Sequence, residues 1–392
     1  MDALTTVSSI GVGDIIRQYG PQFRQQYNMS QVQQKTFFAI KNCRTPAMGG
    51  HADRCHQCGH MRFFYNSCRN RHCPQCQGLK QTKWVDKLAC DLLPVRYFHI
   101  VFTIPSEINP LALVNQKIVY DILFKAASEA LLTLAKDPKY LNCATGMVTI
   151  LHSWGQNLMY HPHLHTMVPA GGWNDQEQRW HPSRNKFFIP VRVISALFRG
   201  KFLFYLKQAY IDQIFTFAGS ISHLKNRKNF NGLMTELYQK NWVVYTKKPF
   251  KNSSHIINYL GRYSHRVAIA NSRIMGIEDH QVTFSMKDYR NGRKKTIQLQ
   301  ATEFIRRFLL HVLPKSFCKI RYYGLFATRN RNTVLSRCRI ALGKPKIISR
   351  FTGLTWQQLL QMITGKDIDI CPICNTGRMT QTIMFKPLFP LA

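Results

Sequence analysis

The stretch Tyr160-His161-Pro162-His163-Leu164-His165-Thr166 sets three histidines at alternate positions, in a chain that has 15. In a β-strand, residues two apart share a face at about 6.5–7 Å. His163 and His165 can therefore converge on one cation while Leu164 points into a core. His161 shares their face but lies about 13 Å from His165 by the same rise, so a third ligand has to come from elsewhere. Gln156 is the preferred donor, with His152 and His161 as fallbacks. Two imidazoles and an amide oxygen leave positions open for Mg²⁺ or Mn²⁺ carrying substrate oxygens. The competing reading is a hydrogen-bonded pair of strand histidines without a metal.

A second constellation is Tyr259-Leu-Gly-Arg-Tyr263-Ser-His-Arg. On a helix Tyr259 and Tyr263 are i and i+4, so both phenols share one face about 6 Å apart. Arg262, His265 and Arg266 surround them, and residues 251–273 contain no acid. Taken alone, an aromatic i,i+4 pair is usually a packing pair.

The third constellation is sulfur. Six of the 12 cysteines lie between Cys43 and Cys76. Cys55-His-Gln-Cys58 and Cys73-Pro-Gln-Cys76 resemble the two knuckles of a zinc ribbon, whose four thiolates satisfy tetrahedral Zn²⁺. Cys43, His51, His60, Cys68 and His72 remain as a candidate second zinc set, against a reading as buried thiols and surface histidines. Arg69 and Arg71 in the same block suit a DNA grip. Cys371-Pro-Ile-Cys374 is half of a further site, which Cys338, a histidine or another chain would have to complete.

These groups need elements to hold them. Helices are expected near residues 13–27, 31–42, 109–136, 198–217, 253–270 and 302–312. Strands are expected near 95–105, 147–168 and 241–245, followed by a hairpin turning at Asn291-Gly292. Lys plus Arg total 54 against 19 acidic residues, a net charge of +35 that favours a polyanion such as nucleic acid. Residues 319–350 carry nine Lys/Arg and no acid. With Arg321, Arg329 and Arg331 beside Tyr322, Tyr323 and Phe326, they read as a strand-tracking surface. No apolar run approaches the ~20 residues that span a bilayer, and the N-terminus lacks a signal-peptide pattern. A soluble, cytoplasmic, nucleoid-associated protein with reduced thiols is expected.

A His-hydrophobic-His strand followed by a Tyr-x3-Tyr helix resembles the HUH endonucleases. More narrowly, SCRNRHCPQC, WGQNLMYHPHLHTMVPAGG, YLGRYSHRVAIA, EFIRRFLLHVLPKSFCKIRYYGLFA and the terminal CPIC resemble the two-tyrosine, rolling-circle insertion-sequence transposases over nearly all of residues 40–380. The resemblance implies an α/β (α+β) fold. It has a zinc-binding domain over residues 1–90, an HUH domain with a central antiparallel sheet flanked by helices over 91–330, and a basic C-terminal region over 331–392. It implies nicking and rejoining of single-stranded DNA through 5′-phosphotyrosines on Tyr259 and Tyr263, with Mg²⁺ or Mn²⁺ at the histidines and one or two structural Zn²⁺. His265 or a metal-held water is the candidate base. No G-x4-G-K-[ST] motif is present, so strand opening would fall to a host helicase or the replication machinery. The alternatives are a plasmid replication initiator or relaxase with the same chemistry, and a non-catalytic zinc-finger protein.

Overall fold

The structure is a computed structural model that describes residues 10–183, 189–250, 256, 261, 267–287, 292–344 and 347–388. The chain divides into two compact units, each built from separated segments. One takes residues 1–86, 265–312 and 348–392; the other takes 87–264 and 313–347.

The second unit is organised on a five-stranded antiparallel sheet, in the order Ile320–Gly324, Gly146–Trp154, Tyr160–Pro169, Tyr97–Thr103, Val244–Phe250. The expected β region at 147–168 is thus two paired strands, turned by residues 155–159. The three central strands are rich in Val, Ile, Phe and Thr, which suit a buried pleated surface. Gly146–Trp154 is buried along almost its whole length. Helices Asn109–Val114, Gln116–Lys136 and Val191–Ile211 pack on the sheet. Gln116–Lys136 puts Tyr120, Leu123, Phe124 and Leu131 into the core. Pro190 precedes Val191–Ile211, and the helix ends at Asp212. It therefore lies earlier than the span 198–217 read from periodicity, because buried Ile194, Phe198 and Phe202 set its inner face. The fold is the mixed α/β arrangement expected, with helices flanking an antiparallel sheet.

The first unit opens with helices Val12–Gln26 and Gln31–Asn42. Ser30 caps the second in a capping box with Gln33. Strands Gly50–Cys55 and Met61–Tyr65 form a hairpin, and Met379–Phe385 adds a third strand beside Gly50–Cys55. A separate meander, Ile274–Glu278, Gln281–Lys287 and Lys294–Gln300, contains the expected hairpin. Amphipathic Ala301–Leu310 follows, burying Phe304, Ile305 and Phe308. The helix expected up to Ala270 does not extend over residues 267–270, which are irregular, with Ala268 at φ +59°.

Leu164 is fully buried between the two histidines of its strand. Leu164→Ala should lower stability by about 2–5 kcal/mol. An urea titration checks this through a lower midpoint at unchanged slope.

Candidate metal centres

His163 and His165 lie on one face of Tyr160–Pro169, as alternation requires. The third imidazole gathered with them is His152, which sits directly opposite His163 in the neighbouring strand. The ligand nitrogens of His152, His163 and His165 all lie within 4.8 Å of one another. His163 Nε2 and His165 Nε2 are 3.1 Å apart. A cation about 2.1 Å from each would separate them by about 3.0 Å at a right angle and about 3.4 Å at a tetrahedral one, so the spacing fits a shared ion.

A backbone carbonyl selects the useful tautomer of His163. His163 Nδ1 lies 2.7 Å from the His161 carbonyl oxygen, which can only accept. Nδ1 therefore carries the proton, and Nε2 of the neutral ring presents its lone pair. Burial pulls the His163 pKa down to about 4, which keeps that ring neutral. His165 Nδ1 is 2.8 Å from His99 Nε2, on the strand to its other side. When His165 donates from Nδ1 to His99, its Nε2 also presents a lone pair, the usual supporting arrangement for a ligating imidazole. His152 is buried and stacks on Trp154, with ring centres 4.7 Å apart.

His161 is exposed and contributes its carbonyl rather than its ring to this group. Gln156 is half-buried in the turn between the two strands. Tyr160, at the start of the histidine strand, hydrogen-bonds Tyr120 hydroxyl to hydroxyl at 2.7 Å. Burial drives both phenols far up in pKa, so they belong to the core. Tyr259, Arg262, Tyr263, His265 and Arg266 lie outside the described residues.

The thiols form two groups of four, and the grouping differs from the one expected. Cys43, Cys68, Cys73 and Cys76 converge, and so do Cys55, Cys58, Cys371 and Cys374. The first group has sulfur separations of 3.3 Å (Cys43–Cys76), 3.6 Å (Cys68–Cys76) and 3.7 Å (Cys43–Cys73). In the second, Cys55–Cys374 and Cys58–Cys371 are both 3.7 Å. Four sulfurs about 2.3 Å from a tetrahedral zinc stand about 3.8 Å apart, whereas a disulfide is about 2.05 Å. Both groups have zinc-like spacing, and all 12 cysteines are free.

The expected set Cys55, Cys58, Cys73 and Cys76 does not form, for a geometric reason. Cys55 and Cys58 occupy the tip of the hairpin, while Gly50 pairs with Tyr65 at its base. At about 3.4 Å per residue the ladder holds tip and base roughly 14 Å apart. Cys43, at the end of helix Gln31–Asn42, and Cys68 both flank the base, where Arg44 N–H bonds the Asn66 carbonyl at 3.1 Å. His51, His60 and His72 join neither group. His51 stacks on Phe64 beside Asp53, His60 gives its carbonyl to the Cys55 N–H, and His72 bonds the Asn70 side chain.

The basic candidates also separate. Arg69 and Arg329 are exposed, and Arg71 is half-buried. Arg321 is tied to Asp121 and lies 4.1 Å from the Phe124 ring centre. Arg331 pairs with Asp91 at 3.0 Å. Part of the basic 319–350 stretch is thus the edge strand Ile320–Gly324, whose Arg321 is engaged within the fold.

Comparison with known proteins identifies two matching families. Residues 15–104 match a family described as "Transposase zinc-binding domain", and residues 146–333 match one described as "Putative transposase". The first match holds six of the eight clustered cysteines and the second holds all three clustered histidines. The chain is 43% identical over 378 residues to "Putative transposase y4qJ" of Sinorhizobium fredii, covering 95% of each chain. It is 28% identical over 301 residues to "Transposase for insertion sequence element IS801" of Pseudomonas savastanoi pv. phaseolicola, covering 76% of this chain and 71% of that one. No solved structure matches. The class is therefore a transposase with a zinc-binding domain. The chain belongs to the IS91-type insertion-sequence transposases.

The histidine geometry makes a prediction. His152→Ala should weaken Mn²⁺ binding by at least about 10-fold, a typical cost for disturbing a metal shell, while His161→Ala should change it by under about 3-fold. Calorimetric Mn²⁺ titration of the two variants checks this; a loss at His161→Ala with none at His152→Ala would place His161 in the shell instead.

Proposed function

We propose that this transposase nicks and rejoins single-stranded DNA through 5′-phosphotyrosine bonds to Tyr259 and Tyr263, with Mg²⁺ or Mn²⁺ held by His152, His163 and His165. The observation that carries this reading is the three-imidazole cluster, whose ligand nitrogens lie within 4.8 Å of one another, with the His163 Nδ1 proton directed to the His161 carbonyl. Gln156, in the adjoining turn, is the candidate oxygen ligand. When bound, the cation neutralises and polarises a phosphate oxygen.

The chain's own residues supply the rest. A tyrosine Oη bonds to phosphorus, the P–O3′ bond breaks, and the phenolic proton ends on the released 3′-OH. An ordinary phenol pKa lies near 10, so a base must assist, and His265, close in sequence to both tyrosines, is the candidate. The phosphotyrosine keeps the energy of the phosphodiester, so the 3′-OH can reverse the attack without ATP. Two tyrosines allow one end to stay attached while a second cut is made. Arg262, Arg266, Arg69, Arg71 and Arg329 are the candidate phosphate contacts, in a chain whose net charge is +35. Cys43, Cys68, Cys73 and Cys76 hold the zinc of the zinc-binding domain. Strand opening by a host helicase completes this reading.

Both relatives described above carry "transposase" in their names, which favours strand transfer over replication initiation or conjugation. Wild type with labelled single-stranded element ends and Mg²⁺ or Mn²⁺ should yield a covalent adduct stable in denaturing gels. Tyr259→Phe/Tyr263→Phe should yield none. An adduct in the double variant, or none in wild type, would refute the nucleophile assignment. His163→Ala should abolish the adduct yet leave DNA affinity within about 3-fold at fixed salt, because phosphate electrostatics dominate binding.

A further inference from the structure

We propose that Cys55, Cys58, Cys371 and Cys374 form a second zinc site, which clamps the C-terminal segment onto the N-terminal hairpin. Two of its ligands lie outside the matched zinc-binding domain, which ends at residue 104.

The two Cys-x2-Cys turns share a carbonyl bond and a left-handed residue after the second cysteine, and differ in which sulfur receives an N–H. In the first, Cys58 N–H points at Cys55 Sγ at 3.5 Å, and Gly59 N–H bonds the Cys55 carbonyl at 3.1 Å. In the second, Gly377 N–H points at Cys374 Sγ at 3.3 Å, and Asn375 N–H bonds the Cys371 carbonyl at 3.0 Å. Gly59 and Asn375 hold the left-handed conformation such turns need, at φ +70° and +57°. N–H groups aimed at sulfur stabilise a thiolate over a thiol.

The turns face each other, with cross-turn sulfur separations of 3.7 Å. A Cβ on Gly377 would stand 2.5 Å from Cys55 Sγ and 2.8 Å from Gln57 Cβ, so a side chain there would collide with the opposite knuckle. Around the sulfurs, Thr376 donates to the Gln57 side-chain oxygen at 2.7 Å, and Arg378 N–H bonds His56 Nδ1 at 3.0 Å. Arg62 donates to the Ile368 carbonyl at 2.8 Å. Met379–Phe385 then pairs along Gly50–Cys55, with Cys55 opposite Met379. Four thiols at zinc-like spacing with no disulfide, on two facing knuckles, suit Zn²⁺. Each sulfur gives its proton to solvent as its bond to zinc forms.

Two measurements on the full chain test this. First, Cys371 and Cys374 of the wild-type chain should resist alkylation and react at least about 10-fold faster after chelation, together with Cys55 and Cys58. Exposed Cys318 should react at one rate throughout. Rates for Cys371 and Cys374 that ignore the chelator would overturn the assignment. Second, elemental analysis in a His163→Ala background should fall from about two zinc per chain to about one in Cys371→Ser/Cys374→Ser, one ion per four-sulfur site. An unchanged count would overturn it. If the double variant does not fold, the alkylation rates of the wild-type chain decide alone. Neither measurement involves DNA cleavage, so failure here leaves the nicking reading standing.

Discussion

The register between strands Gly146–Trp154 and Tyr160–Pro169 is the constraint on which the histidine centre depends. His152 faces His163 across this pair, and Leu151 faces Leu164 one step away. Both leucines are buried on the opposite face of the sheet from the imidazoles. Sliding one strand by a single residue would drive histidines into that core and leucines out of it. Hydrophobic burial on one face thus fixes the placement of the imidazoles on the other. The turn enforces the same register. Gly155 N–H bonds the Met159 carbonyl at 3.0 Å, and Leu158 is buried despite a φ of +62°. The ladder also shifts between His152 and Trp154. Such an irregularity re-aims nearby side chains, here beside the histidine that stacks on Trp154.

Three neighbouring strands contribute to the centre, and this explains its rigidity. Tyr97–Thr103 supplies His99, Tyr160–Pro169 supplies His163 and His165, and Gly146–Trp154 supplies His152. His99 is fully buried, so it reaches His165 from a fixed position. Side chains on paired strands are held more closely than side chains on loops. The neutral state of His163 has the same origin, since burial disfavours the imidazolium.

The histidine pair was legible in the sequence because period-two alternation is local, and YHPHLHT displays it. His152 was visible only as one fallback, because its place opposite His163 follows from a turn length and a ladder shift that residue types do not encode. The sulfur sites mark the same boundary. Cys-x2-Cys spacing shows that each pair is a knuckle, but not which knuckles meet. Pairing the nearest two in sequence fails because an antiparallel hairpin carries Cys55 and Cys58 away from Cys73 and Cys76. The partner knuckle at Cys371 lies over 300 residues along the chain, beyond any local pattern. Arg321 and Arg331 looked like free cations in a run without acids, yet Asp121 and Asp91 reach them from other elements.

The need for two sulfur centres can be argued from what surrounds them. The sheet of Gly50–Cys55, Met61–Tyr65 and Met379–Phe385 buries little of itself. Met61–Tyr65 is exposed at four of its five positions, and Met379–Phe385 at five of seven. Phe63, Tyr65 and Met384 remain open to solvent. Among the described residues, the buried cluster at the second thiol group is Cys55, Cys371 and Met379, too few to repay the entropy of ordering two distant segments. Small modules of this kind are held by cross-links rather than by cores. With zinc at both sulfur groups, one ion fixes the base of the hairpin to the preceding helix, and the other fixes its tip to the C-terminal strand. On that arrangement the third strand depends on metal more than on packing.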